Sequence, residues 1–158
     1  MGDICLRVPT DEDDDFLFGV YSTTRREEVA AFGWDEAQQI AFLRMQFSMR
    51  QRSYKMQFPD AEHSIILYDA ARAGQMIIDR QPRSIRLTDI AVLPEYRRLG
   101  IAAYLIRQLQ AEAKGSDKPL VLSVDKSNVL AKDIYEKNKF VVTAETQLLY
   151  EMEWRDRS

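Results

Sequence analysis

The stretch Leu87-Thr-Asp-Ile-Ala-Val-Leu-Pro-Glu-Tyr-Arg-Arg-Leu-Gly-Ile-Ala-Ala-Tyr-Leu-Ile106 changes its hydrophobic period halfway along, and that change decides the fold. Ile90 and Val92 alternate with Thr88 along one face, the period-2 pattern of a strand. Pro94 ends the strand, since it cannot donate to a sheet ladder. From Ala102 onward Leu105, Ile106, Leu109 and Ala113 fall at helical spacing. Gly115 stands where a left-handed helix stop is expected.

Between strand and helix lies Arg97-Arg98-Leu99-Gly100-Ile101-Ala102. Gly100 allows close backbone approach, and Ala102 keeps the first helical turn bare. The free N–H groups of that turn then point outward at the positive end of the helix dipole, where a phosphate or pyrophosphate can sit. Arg97 and Arg98 add charge beside it. The alternative is an ordinary strand-to-helix turn with two solvated arginines.

Working outward, residues 4–8 read as a strand, with Cys5 a small buried hydrophobe in it. Thr10 followed by acids at 11–15 reads as a helix start. That helix continues through Phe16, Leu17, Val20 and Tyr21, and the polar run 22–28 reads as a connection. Asp35 caps a long helix of about 20 residues. Two apolar lines run along it, one through Ile40, Leu43, Phe47 and Tyr54, the other through Phe42, Met45, Met49 and Met56. Internal core is the expected partner for both. Residues 63–68 and 75–79 form a hairpin around a turn at 70–74, and 85–92 make the next strand. After the central helix come a strand at 119–124, a short helix at 128–137 and closing strands at 141–142 and 147–154. The fold class is mixed α/β, with one crossover across residues 87–124.

The 158 residues fit one domain over residues 1–158, large enough for its own core. With 46% hydrophobic and 30% charged residues the chain has the composition of a soluble globular protein, and a net charge of −3 argues against nucleic-acid binding through a broad basic face. The lone Cys5 excludes an intrachain disulfide, and the lone His63 weakens any histidine-based metal site or Ser-His-Asp triad, so no metal is expected. No run approaches 18 apolar residues and no signal pattern opens the chain, so no membrane association is expected and the cytoplasm is the default.

A second constellation follows in Asn128-Val-Leu-Ala131-Lys-Asp-Ile-Tyr135-Glu-Lys-Asn-Lys-Phe140. Asn128 and Tyr135 are seven apart on a helix and share a face with Ala131 between them, a shallow surface with polar ends. A capping Asn and a core Tyr are the plainer alternative for that segment alone.

Arg97-x-x-Gly100-x-Ala102, preceded by Ile90-Ala91-Val92-Leu93-Pro94, resembles motif A of the GNAT superfamily of acyl-CoA-dependent N-acetyltransferases. The run from Asn128 to Phe140 is similar to that family's motif B, except that Lys139 replaces its usual Gly before Phe140. Lys resists the positive φ that Gly allows there. The order of elements is that of the GNAT fold, a central mixed sheet flanked by helices. The likeness is specific from residue 85 to 140 and generic before that.

The resemblance implies an acyltransferase that moves the acetyl group of acetyl-CoA to a primary amine by direct attack. Backbone N–H groups at Ile90, Ala91 and Val92 would polarise the thioester carbonyl. Residues Arg97, Arg98, Leu99, Gly100, Ile101 and Ala102 would hold the pyrophosphate, Asn128 would bond the pantetheine arm, and Tyr135 would protonate the departing thiolate. An amine must lose its proton to attack, and Asp89 is the nearest carboxylate. Strand parity points it away from the face of Thr88, Ile90 and Val92, so only a bulge would bring it in. Glu27, Glu28 and a relayed water are the other options for the base. Arg25, Arg26 and Glu28 lie where the family covers its acceptor, and solvated surface charge is the simpler reading of them. A small-molecule acceptor ranks ahead of a protein N-terminus or lysine, and a non-catalytic CoA-binding module on the same fold is the alternative of a different class. A homodimer through the long helix or the last strand is compatible with the pattern.

Overall fold

The computed structural model describes residues 2–157. Its elements follow the expected order: β1 (Ile4–Arg7), a 3₁₀ turn at Asp11–Asp13, α1 (Asp14–Ala30), α2 (Glu36–Gln57), β2 (Glu62–Tyr68), β3 (Ala71–Arg80) and β4 (Ile85–Val92). A second 3₁₀ turn at Pro94–Tyr96 leads to α3 (Ile101–Gly115), β5 (Leu120–Asp125), α4 (Val129–Lys137), β6 (Val141–Glu145) and β7 (Leu149–Trp154). The seven strands form one sheet in the order β1-β2-β3-β4-β5-β7-β6, in which only β4 and β5 run parallel.

Each face of the sheet buries a separate core. Ile85 and Leu87 of β4 and Leu120 and Leu122 of β5 pack with Ile101, Leu105, Ile106 and Leu109 of α3. On the other face Ile65 of β2 meets Leu17 and Tyr21 of α1 and Leu43 and Phe47 of α2. Alternation along β2 explains the split: Ile65 belongs to one core and Ile66 to the other. A fully buried Leu or Ile stabilises by about 1.5–3 kcal/mol relative to exposure.

Several local expectations are corrected. The polar run 22–28 is helix, because Ser22, Thr23 and Thr24 donate to the carbonyls of Phe18, Val20 and Tyr21 one turn back and Val29 is buried beyond them. Ile40, Met45, Met49 and Met56 are exposed, so α2 gives the core Leu43 and Phe47, with Phe42 partly buried against them. Cys5 is exposed because β1 is an edge strand. The hairpin turn is tighter than expected: Asp69 and Ala70 take φ of 49° and 68°, and β3 begins at Ala71. Gly115 is still helical, and the left-handed residue after α3 is Asp117 at φ 54°.

The acidic start of α1 is also not uniform. Asp13 is 1% exposed and accepts both Arg7 guanidinium nitrogens at 2.7 and 2.9 Å, Arg72 at 3.1 Å and the Thr10 N–H at 2.8 Å. The Arg7 bond, followed by that of Thr10, holds its carboxyl well below the usual range. Asp14 and Asp15 instead tie α1 to Arg44 of α2 at the surface.

Candidate active site

β4 and β5 touch only at their starts, where Ile85 faces Leu120 and Arg86 faces Val121. Beyond those two pairs β4 keeps its ladder with β3, and β5 keeps its ladder with β7. A wedge therefore opens between them toward their C-terminal ends. The Leu93 N–H donates to Ala73 at 2.8 Å on the β3 side. Alternation along an antiparallel ladder then turns the N–H groups of Val92 and Ile90 to the opposite, open edge. Ala91 lies between them and pairs with Gln75.

Below the wedge lies the start of α3. Gly100 takes φ 80° as the N-cap and no side chain caps the helix, so the N–H groups of Ile101, Ala102 and Ala103 lack the usual partner. Arg98 precedes it at φ 66°, which folds the loop 97–100 tightly around the helix end. Arg97 turns back to donate from Nε to the Val92 carbonyl at 3.0 Å, tying this loop to the end of β4. Leu99 is exposed. Uncapped donors, the positive end of a 15-residue helix and two arginines fit a pyrophosphate.

α4 borders the wedge on the β5 side. Asn128 is its N-cap, accepting from the Ala131 N–H at 3.2 Å. Tyr135 is 8% exposed and packs on Phe140 with ring centroids 5.7 Å apart. Lys139 does adopt the left-handed conformation, at φ 73°, despite its side chain. The turn is closed by Lys139 N–H to Glu136 O at 3.0 Å and Phe140 N–H to Tyr135 O at 3.1 Å, a Schellman motif that grips Tyr135 by carbonyl and ring at once. Burial pushes the Tyr135 phenol up, and the charge of Asp89 adds to the shift.

Strand parity holds for Asp89, which stays on the face opposite Ile90 and Val92; a bulge lies just before it. Ile77 pairs with Asp89 while Ile78 pairs with Leu87, so Thr88 is the extra residue on β4. The insertion corrects the expected face: Leu87, not Thr88, joins Ile90 and Val92 against α3. Thr88 Oγ1 is left buried without a partner. Asp89 lies on the α1–α2 face, its side chain 17% exposed, where it accepts Arg50 Nη2 at 3.2 Å and Gln75 Nε2 at 2.7 Å. Burial raises its pKa against the opposing pull of Arg50, Gln75 and His63.

Arg50 lies over the Tyr54 ring at 4.9 Å, so α2 roofs the carboxylate. Arg25 of α1 pairs with Glu28 at 3.1 Å and feels the charge of Asp125 at the end of β5. An open hollow of about 480 Å³ lies elsewhere, on the outer side of α2, lined by Met49, Arg52, Ser53, Met56 and Gln57. Its lining includes no carboxylate, thiol or imidazole.

Tyr135 and Ala131 share the α3-face core with Ile90 and Val92, Arg97 ties loop 97–102 to the end of β4, Asn128 caps α4, and the charge of Asp89 reaches Tyr135 from the other face of the sheet. Sequence reading gave no site role to Arg50, Tyr54, Gln75 or His63: Arg50 is one of several cations on α2, Tyr54 stood in an apolar line, and the polar Gln75 and His63 on their apolar strands were the only signal. No helix of the described residues is long and apolar enough to cross a membrane.

No curated protein matches this sequence. Solved structures do. PaiA N-acetyltransferase from Thermoplasma acidophilum, in complex with coenzyme A, is 19% identical with a TM-score of 0.71, over 98% of this chain and 99% of that one. An acetyltransferase from Thermus thermophilus is 13% identical with a TM-score of 0.68, over 99% of this chain and 100% of the other. Campylobacter jejuni N-acetyltransferase PseH, in complex with acetyl coenzyme A, is 15% identical with a TM-score of 0.60, again over 99% and 100%. These likenesses establish a shared fold. The family described as acetyltransferase (GNAT) domain matches residues 20–151, most of the chain and all of the wedge. By fold, motifs and family match together, the chain belongs to the GNAT acetyltransferases.

Proposed function

We propose that this protein is an acetyl-CoA-dependent N-acetyltransferase acting on a small primary amine, with Asp89 as general base and Tyr135 as general acid. The observation that carries the reading is the wedge: an unpaired β4 edge, an uncapped helix start whose loop is tied to the end of β4, and a partly buried carboxylate whose charge reaches a buried phenol. The coenzyme A and acetyl coenzyme A found with PaiA and PseH support the choice of cofactor.

In this mechanism the N–H groups of Ile90 and Val92 donate to the thioester carbonyl oxygen and stabilise the charge that develops on it. Asp89 takes a proton from the acceptor ammonium, freeing the lone pair that attacks the carbonyl carbon. The C–N bond forms, the C–S bond breaks, Tyr135 gives its proton to the departing sulfur, and the second proton shed by the now cationic nitrogen restores the phenol. A raised phenol stays protonated through the working pH range, so the donor form is always present. Loop 97–102 holds the pyrophosphate, and Asn128, besides capping α4, faces the pantetheine arm. Arg50 and Tyr54 narrow the entry above Asp89, which favours a small amine over a lysine on a folded protein.

Calorimetric titration with acetyl-CoA, with ATP as control, tests the cofactor: micromolar binding of acetyl-CoA alone is expected, and its absence reduces loop 97–102 to a turn. Tyr135→Phe should lower turnover by about 100-fold with acetyl-CoA affinity within a few-fold. Full turnover in that variant removes Tyr135 as the acid.

A further inference from the structure

Three polar side chains lie in a row across three neighbouring strands, on the face that meets α1 and α2. His63 Nε2 is 2.7 Å from Gln75 Oε1, and Gln75 Nε2 donates to Asp89 Oδ2 at 2.7 Å. In the ladder His63 faces Ile77 and Ile77 faces Asp89, so Gln75 is the diagonal neighbour of both and long enough to reach each. Gln75 is 9% exposed within a strand that is buried from Ala73 to Asp79. A buried amide there is costly unless both of its ends are bonded.

The donor and acceptor inventory fixes every orientation in the row. An ionised carboxylate only accepts, so Gln75 must present its NH₂ to Asp89. Its carbonyl then faces His63, which must carry a proton on Nε2. Without that proton donor the amide is free to flip, setting its oxygen against the carboxylate. An amide does not conduct protons readily, so the row orients the carboxylate rather than draining it. Arg50 grips the other oxygen from a half-exposed helix arm, through a single 3.2 Å contact.

We propose that Gln75, oriented by His63, is a positioning residue that fixes the plane of the Asp89 carboxylate and keeps one of its lone pairs directed at the wedge. The inference rests on the reading of Asp89 as the base. The charged and titratable groups facing Asp89 are Arg50 and Tyr54 from α2, His63 from β2 and Tyr135 from α4, with Arg25 of α1 acting on Tyr54.

The test follows the Asp89 carboxyl carbon by NMR titration of full-length protein with ¹³C-labelled aspartate, which needs no acceptor. Gln75 donation favours the ionised form, so Gln75→Leu should raise the Asp89 titration by about one unit. His63→Phe should move it the same way by less, and His63→Gln, which restores an N–H donor, should return it toward the wild-type position. The His63 variants keep the test open if Gln75→Leu does not fold. An unmoved titration in folded Gln75→Leu or His63→Phe overturns the proposal. Asp89→Asn, assayed by thiol release from acetyl-CoA with glycinamide, separates the two readings. Wild-type turnover in it removes Asp89 as base whatever the titration shows, whereas an inactive Asp89→Asn beside an unmoved Gln75→Leu titration removes only the positioning role.

Discussion

Gly74→Ala should damage the wedge without touching any group that reacts. Gly74 faces Val92 across the β3–β4 ladder, and a Cβ built on it meets the Ala91 carbonyl oxygen at 2.1 Å, with Val92 Cα at 3.0 Å. Both obstacles are backbone, so no side chain can swing aside. A tolerable carbon–oxygen contact is about 3.3 Å, so β4 must retreat by about 1.2 Å where its N–H groups face the wedge. Overpacking of this kind costs about 1–3 kcal/mol, or about 2–12 °C in melting temperature for a chain of this size. A displacement of about 1 Å in catalytic donors costs on the order of 100-fold in rate. The assay is thermal unfolding by circular dichroism, followed by turnover and acetyl-CoA titration well below the new melting point. The expected result is a folded variant with a depressed kcat. Wild-type melting and wild-type kcat together would refute the close-approach reasoning.

Other substitutions probe separate links. Gly100→Glu places a carboxylate and a strained φ of 80° at the helix start, and acetyl-CoA binding should vanish in calorimetry while the fold survives. Lys139→Gly should raise the melting temperature by about 2–4 °C, since a left-handed lysine costs about 1 kcal/mol that glycine does not incur. The Asp13 carboxyl is depressed in the fold from an ordinary 3.8, so its contribution is complete above that value and fades as pH falls below it. Asp13→Asn should therefore unfold at lower urea concentration at neutral pH, and its stability should decline less steeply into acid than that of wild type.

Contiguous signals were legible and register was not. The loop 97–102 and α4 each lie within a dozen residues, so local spacing was enough to put the one at the start of a helix and the other along a helix of its own. Element order followed from the switches between period 2 and period 3.6. Thr88 shows the limit, because one inserted residue leaves no mark in composition yet reverses every face after it. Asp89 kept the side that parity gave it, opposite Ile90 and Val92, but its partners on β3 and α2 were invisible until the ladder was known. The second half of α1 was lost for another reason: Ser22, Thr23 and Thr24 look like loop residues because their bonds back to the helix are not written in their order. The methionines of α2 were overread, since apolar spacing reports a stripe but not whether anything covers it.

Laterally the sheet is two plates, β1 to β4 and β5 to β7, seamed by two residue pairs at one corner. Such a seam resists shear along the strands but offers little stiffness against opening at the far end, where α3 on one face is the main brace. A molecule that bonded both free margins would act as a rivet. Part of its binding energy would then appear as rigidity spread through strands it never touches.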